Sequence, residues 1–164
     1  MTTTTKKKTT TTRAVKLPPN PFIHEILDYV DSQKTKPKKV QALQEYRDDS
    51  LTAILIWNFD DRVVSAVPEG QVPYKENEVP VGTDHTSLRR EWKNLYHFIK
   101  GGNDTLSSLR RETMFIQMLE GLHPEEAKIV CLVKDKNLTE KYKLTREIVA
   151  AAFPDIAWGL HRGT

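Results

Sequence analysis

Apolar side chains recur at helical spacing soon after the start of the chain. In FIHEILDYV, Phe22 to Val30, they follow intervals of three and four residues and therefore share one face of a helix. We predict that this helix ends near Gln33. Pro21 suits its first position, and Asn20 is its predicted cap.

Two more helices are predicted before residue 60. In KTKPKKVQALQEYRD, which has Pro37 near its start, Val40, Leu43 and Tyr46 are expected to face inward. The next run, LTAILIWNF, is apolar on nearly every side, so we place it at the centre of the core. Asp49 is the predicted cap of this third helix.

Residues 60–85 differ from the flanking segments because they show no helical period. They contain three prolines and two glycines, which favour turns and irregular structure. Arg62 to Val67 fits a short strand, and the rest predicts a long ordered loop. Its expected anchors on the helices are Val72, Tyr74, Val79 and Val81. Such a loop either packs on the core or forms a binding surface, and both alternatives stay open.

Two amphipathic helices are predicted between residues 86 and 120, and their Gly-Gly-Asn connection predicts an antiparallel hairpin. The first ends at Gly101 and Gly102, and the second is capped by Asn103 or Asp104. The apolar stripe of the first consists of Leu88, Trp92, Leu95 and Ile99, widened by Tyr96 and Phe98. The predicted inward residues of the second are Leu106, Leu109, Thr113, Ile116 and Leu119, flanked by Met114, Phe115 and Met118.

The run LEGLHPEEAK, Leu119 to Lys128, resembles an active site more than any other run in the chain, yet it predicts a joint between two helices. Gly121 ends one helix, and Pro124 suits the first position of the next because its missing N–H would be unpaired there. His123 is expected to cap this helix. Glu125 and Glu126 lie in its first turn, where the helix dipole favours a carboxylate.

The pattern as a whole predicts a mainly α fold, a compact bundle of about six to seven helices with a long central ordered loop. A last helix, LTREIVAAAF, is capped by Thr145 and ended by Pro154, after which Ile156 and Trp158 fold back on the core. We assign residues 18–160 to one helical domain. Residues 1–17 form a Thr/Lys-rich arm, which is predicted to be disordered because it has too few apolar groups to pack.

Charge is distributed unevenly between the arm and the domain. The chain of 164 residues has a net charge of +3, and residues 1–16 carry five cations and no acid, so the remainder holds 3 − 5 = −2. A flexible basic segment attracts polyanions, which makes DNA or RNA a candidate partner of the arm. The basic character belongs to the arm and says little about the folded surface.

A second basic group lies on the predicted hairpin. Arg89, Lys93 and His97 follow four-residue spacing away from the apolar stripe, which suits a phosphate-binding surface. The alternative is a solvated face on which the arginines pair with Glu91 and Glu112. The predicted nucleic-acid-binding residues are Lys6, Lys7, Lys8, Arg13, Lys16, Arg89, Arg90, Lys93, Arg110 and Arg111.

The residues that support catalysis or metal binding form no complete site. His123 and Glu126 make a His-x-x-Glu spacing without a second His, and His24 with Asp28 has no third ligand. The doublets Asp48–Asp49 and Asp60–Asp61 lie at helix edges, where Asp commonly caps. The single Cys131 excludes a disulfide within the chain and sits in an apolar run that predicts a buried, inert thiol. We predict no cofactor, no metal and no catalytic residue.

The chain also resembles an uncharacterised family of small proteins from T-even-like tailed phages, cyanophages especially. The resemblance covers about residues 22 to 158 and rests on PEG-x-x-PY, KGGN and LEGLHPEEA, within segments 58–82 and 95–138, and on the final AAFP. It implies a phage gene product that acts in the infected bacterial cytoplasm or travels in the particle. It implies no catalytic or binding residue.

Two functions follow as hypotheses. The first is a non-enzymatic accessory protein that binds nucleic acid or the replication and transcription machinery, with the arm supplying electrostatic attraction. The second is a structural or protein-interaction module, such as a minor virion component or a modulator of a host protein. Its interface would comprise Glu69 to His85 and the exposed side of the hairpin. No apolar run is long enough for a membrane span and no secretory signal is present, so we expect no membrane partner. The oligomeric state stays open.

Overall fold

The computed structural model of the protein describes residues 17–78 and 86–158. The arm cations Lys6, Lys7, Lys8, Arg13 and Lys16, and the predicted loop anchors Val79 and Val81, lie outside these ranges. Leu17, which we assigned to the arm, packs against the core, and its N–H donates to the Tyr46 hydroxyl at 3.4 Å.

The described residues confirm a mainly helical bundle without a strand. The α-helices are α1 (Ile23–Asp31), α2 (Lys36–Glu45), α3 (Asp49–Phe59), α4 (Leu88–Glu91), α5 (Ser108–Gly121), α6 (Pro124–Lys134) and α7 (Arg146–Ala152). Two 3₁₀ helices occupy Trp92–Phe98 and Leu138–Glu140. Within these ranges, none of the helices combines the length and apolar character that crossing a bilayer requires.

The first three helices lie where periodicity places them, but two of their caps differ from prediction. Asn20 adopts a left-handed backbone with φ of 51°, whereas an N-cap needs an extended one, so the prediction of Asn20 as a cap is wrong. Phe22 takes this position, and its N–H donates to Glu25 Oε1 at 2.8 Å. In α3 the cap is Asp48 rather than Asp49, and its carboxylate accepts the Ser50 N–H at 2.9 Å.

The core is built around α3, as the apolar run predicts. Leu51, Ile54 and Leu55 are fully buried, and α3 packs against α6, α4 and the first 3₁₀ helix. On the other side of the molecule α2 packs against α1 and α7. Trp158 is 8% exposed and joins the same cluster of buried side chains, which confirms that the chain folds back after α7.

The prediction of one continuous helix from residue 88 to 99 is wrong. After a single α turn the chain tightens into the 3₁₀ helix Trp92–Phe98, in which residues three apart share a face. Leu95 and Phe98 are therefore buried together, whereas Tyr96 is 47% exposed. Phe98 packs edge-on against Phe115 of α5, with ring centroids 5.1 Å apart, and this contact explains the burial of a residue placed at the edge of the predicted stripe.

Helix α5 also faces the core differently from prediction. It starts at Ser108, and the N-cap is Ser107, whose hydroxyl accepts the Arg110 N–H at 3.1 Å, rather than Asn103 or Asp104. Its buried side chains are Phe115, Met118 and Leu119, a stripe that Leu122 continues. Leu109 and Thr113, predicted to face inward, are exposed, Leu109 to 76%.

The described part of the central loop, residues 60–78, contains no strand at 62–67. Only Ser65 forms a bridge, to Ile99, because the partner chain is extended for about one residue between the 3₁₀ helix and the Gly101 turn. Lys134 anchors the loop. Its fully buried ammonium donates to the carbonyls of Pro68 at 2.8 Å and Gly70 at 2.9 Å. Val72 and Tyr74 pack against the core as predicted.

Candidate functional site

The run LEGLHPEEAK forms the joint that the sequence predicts. Helix α5 ends at Gly121, and Pro124 is the first residue of α6. His123 caps α6, because its Nδ1 accepts the Glu125 N–H at 3.0 Å. The His123 ring also lies 4.6 Å from the His24 ring, and burial lowers the pKa of His24.

Glu126 has a role that its position in the sequence does not reveal. Its carboxylate is fully buried, with Oε2 accepting the Ile23 N–H at 2.8 Å and Oε1 accepting the Leu88 N–H at 2.9 Å. These N–H groups begin α1 and α4, so one side chain of α6 caps two other helices. Burial raises the pKa of Glu126. Its neighbour Glu125 instead lies at the surface.

The two adjacent carboxylates therefore do not form an acid–base pair. Glu125 bonds the ammonium groups of Lys128 at 3.1 Å and Lys141 at 3.3 Å, and the hydrogen bond from Lys128 is the main reason that its pKa is lowered. In the two aspartate doublets, Asp48 accepts the Ser50 N–H and Asp60 accepts the Arg62 N–H, both at 2.9 Å. In residues 17–78 and 86–158, no group of three His, Cys, Asp or Glu side chains is placed to hold a metal ion.

Cys131 differs from prediction because it is half-buried rather than enclosed. It lines an open cleft of about 800 Å³, together with Tyr74, Lys128 and Lys141. Burial raises the pKa of the Cys131 thiol and raises that of Tyr74 to about 12. Both groups are thus held in their neutral forms, which disfavours nucleophilic attack by the thiol.

The five cations predicted on the folded body separate into two groups. Arg89 binds Asp48 at 2.7 Å and the Pro21 carbonyl at 3.0 Å. Arg111 donates to the His97 carbonyl at 2.8 Å and the Asn103 carbonyl at 2.7 Å. These two guanidinium groups hold chain segments together. Exposed to solvent are Arg90, Lys93 and Arg110.

The predicted basic face of Arg89, Lys93 and His97 does not form. After Glu91 the chain continues as a 3₁₀ helix, in which residues three apart, and not four apart, share a face. The Lys93 ammonium lies over the Trp92 ring, 5.9 Å from its centroid. The half-buried His97 ring lies tilted against the Tyr96 ring, with ring centroids 4.0 Å apart. Lys93 and His97 thus each lie next to an aromatic ring on this short helix.

A groove of about 310 Å³ runs between α3 and this 3₁₀ helix. Ile56 and Val63 line one side, and Trp92, Tyr96 and Ile99 line the other. Trp92 and Ile99, which the apolar stripe predicts to face inward, are partly buried and pack against the core, whereas Leu95 and Phe98 are buried within it.

Residues 26–140 match a family model described as a family of unknown function (DUF6433), over more than two thirds of the chain. The chain belongs to this family. The DUF6433 region contains Glu126, the anchored loop and the whole 3₁₀ helix Trp92–Phe98, whereas the arm and α7 lie outside it. Searches of curated proteins and of solved structures gave no significant match.

Proposed function

We propose that this DUF6433 protein is a phage-encoded accessory protein that binds nucleic acid, alone or within the replication and transcription machinery, and catalyses no reaction. It would act in the cytoplasm of the infected bacterium. The phage assignment follows from the resemblance in residues 58–82 and 95–138. The side chains of His123 and Glu126 serve as helix caps.

The observation that carries the proposal is the separation of charge. Residues 1–16 hold five cations and no acid, whereas the remainder has a net charge of −2. In the folded body several charged groups are used internally, as Glu126, Lys134 and Arg111 illustrate. The positive charge available to a polyanion is therefore concentrated in the arm, where contact with phosphates would release counterions.

The salt dependence of binding tests this proposal in the full chain. The variant Lys6→Gln/Lys7→Gln/Lys8→Gln removes three arm charges. For duplex DNA, the slope of log K against log salt should fall in magnitude by about 2.7, since each neutralised phosphate contributes about 0.9. The matched control replaces three exposed body lysines, Lys34, Lys38 and Lys143, by Gln and has the same net charge. Absence of binding by the unmodified chain at low salt, or equal slopes for the two variants, contradicts the proposal.

A second candidate function, a protein-interaction module, is favoured by the exposure of Leu109. This side chain is 76% exposed and lies on the same face of α5 as Glu112 and Ile116, which border a small cavity against Val72 and Pro73 of the loop. As a minor virion component or a modulator of a host protein, this chain would dock onto its partner through that face. Mass spectrometry of purified particles and of pull-downs from infected cells should identify a protein that binds the unmodified chain. The variant Leu109→Asp should no longer bind it. A partner retained by that variant would contradict this interface.

A further inference from the structure

The groove beside the 3₁₀ helix combines exposed aromatic surface with positive charge. Tyr96 is 47% exposed, and the partly buried Trp92 has the Lys93 ammonium over its ring. We propose that this groove, lined by Trp92 and Tyr96 and flanked by Lys93 and Lys100, stacks the unpaired bases of single-stranded nucleic acid. The inference rests on the proposed nucleic-acid function and specifies the kind of strand.

The aromatic lining selects a single strand over a duplex. Within a duplex each base is stacked between its neighbours, so its faces cannot reach a protein side chain without unstacking. An unpaired base exposes both faces, and aromatic side chains on which such bases stack are common in proteins that bind single strands. The groove has Ile56 and Val63 opposite the two aromatic residues, so an inserted base would meet apolar surface on both sides.

The charges around the groove complement a phosphate backbone. In the described part of the chain, Lys93 is the one charged side chain of the lining, and no carboxylate lines it. Exposed Lys100 follows the lining residue Ile99 in the chain, and its backbone N–H bonds the Val64 carbonyl at 2.7 Å. In the larger cleft, by contrast, Lys128 and Lys141 are both bonded to Glu125.

Other occupants fit the groove less well. The arm consists almost entirely of Thr and Lys, so it has little apolar surface to place against Ile56, Val63 and Ile99. A second copy of the chain or another protein would need carboxylates placed beside Lys93 and Lys100 as well as apolar side chains for the lining. The phosphates of a strand that crosses the groove would be neutralised by Lys93 and Lys100, and this favours nucleic acid as the occupant.

Tryptophan fluorescence of the full chain provides the test, because Trp57 and Trp92 both line the groove. At low salt, an oligothymidylate of about 15 nucleotides should quench this emission, whereas a duplex bound through the arm should quench it much less. Tyr96→Ala should weaken single-strand binding by roughly fivefold or more, and Tyr96→Phe should retain it. Duplex affinity should stay unchanged in both variants. Val64→Ala is the control, because it shortens an apolar side chain of similar exposure, 43%, that does not line the groove.

A second variant keeps the test independent of any effect of Tyr96→Ala on folding. Lys93→Gln/Lys100→Gln alters two exposed side chains and should lower the magnitude of the single-strand salt slope by about 1.4. If Tyr96→Ala and Lys93→Gln/Lys100→Gln both bind single strands as tightly as the unmodified chain, and binding through the arm is intact, the groove proposal is overturned and the arm proposal stands. No binding to either nucleic acid by the unmodified chain overturns both. If Tyr96→Ala instead changes the sedimentation mass and leaves single-strand affinity unaltered, the groove is an interface between copies and the proposal fails.

Discussion

Replacing Glu126 by Gln is the sharpest single test of how this fold is held together. The substitution keeps the size of the side chain and removes the charge. Glu126 accepts the N–H groups of Ile23 and Leu88 with its two separate oxygens. Gln has one carbonyl oxygen, and its amide NH₂ would face the second N–H, so two donors would meet in the buried interior.

The expected cost follows from the loss of one buried acceptor. A hydrogen bond to a charged group contributes about 1.5–3 kcal/mol, and an unpaired buried donor costs about 1–3 kcal/mol. The neutral amide is easier to bury than the carboxylate, which offsets part of this sum. We expect the free energy of unfolding of Glu126→Gln to fall by about 2–4 kcal/mol, which corresponds to a melting temperature roughly 5–15 °C lower.

Glu125→Gln is the matched control because it changes the adjacent residue in the same way. Its two ion pairs lie at the surface, where such pairs contribute about 0.2–1 kcal/mol and are screened by salt, so we expect a total below about 1 kcal/mol. Urea unfolding followed by tryptophan fluorescence measures both variants. A Glu126→Gln cost no larger than that of Glu125→Gln would refute the double-cap assignment.

Further predictions concern pH, close packing and the arginines. Because burial raises the folded-state pKa of Glu126, its contribution to stability is fully present below its unfolded pKa and is lost as pH rises through the folded pKa. The stability difference between the unmodified chain and Glu126→Gln, measured by urea unfolding at a series of pH values, should therefore shrink with rising pH. Gly102→Ala would place a Cβ into the Tyr96 carbonyl oxygen and should cost about 1–3 kcal/mol. Gly121→Ala meets its nearest atom, in the Thr86 side chain, at 3.4 Å and should cost little or stabilise; thermal unfolding compares the two variants. Arg89→Ala should lower the melting temperature because it breaks a half-buried ion pair, and Arg90→Ala, at an exposed site, should change stability by less than about 0.5 kcal/mol; equal effects would contradict the division of the cations.

Local hydrogen bonds made much of the fold readable from the sequence. Thr145 caps α7 through Ile148 and His123 caps α6 through Glu125, contacts that span three and two residues. A short separation of this kind leaves a recognisable spacing of residue types. The apolar run of α3 likewise indicated its central place, because a helix without a polar face has nowhere else to lie.

The first 3₁₀ helix is the element that the apolar pattern did not predict. Its apolar positions fit a 3₁₀ helix as well as an α-helix, and the 3₁₀ form is the one in which Phe98 packs on Phe115. The 3₁₀ conformation determines the candidate site. It places Trp92 and Tyr96 in the groove lining, and it separates Arg89, Lys93 and His97, which were predicted to share one face.

The sequence by itself determined that this protein is a helical bundle with a basic arm, because periodicity, caps and net charge are local or additive properties. The tertiary structure alone decided where the charged side chains go. Glu126 finds its two N–H partners 103 and 38 residues away, and Lys134 finds its loop carbonyls 66 and 64 residues away. A buried charged group needs hydrogen bonds from the backbone groups that the fold places next to it. Because these groups are far away in the chain, no spacing of residue types predicts which they are.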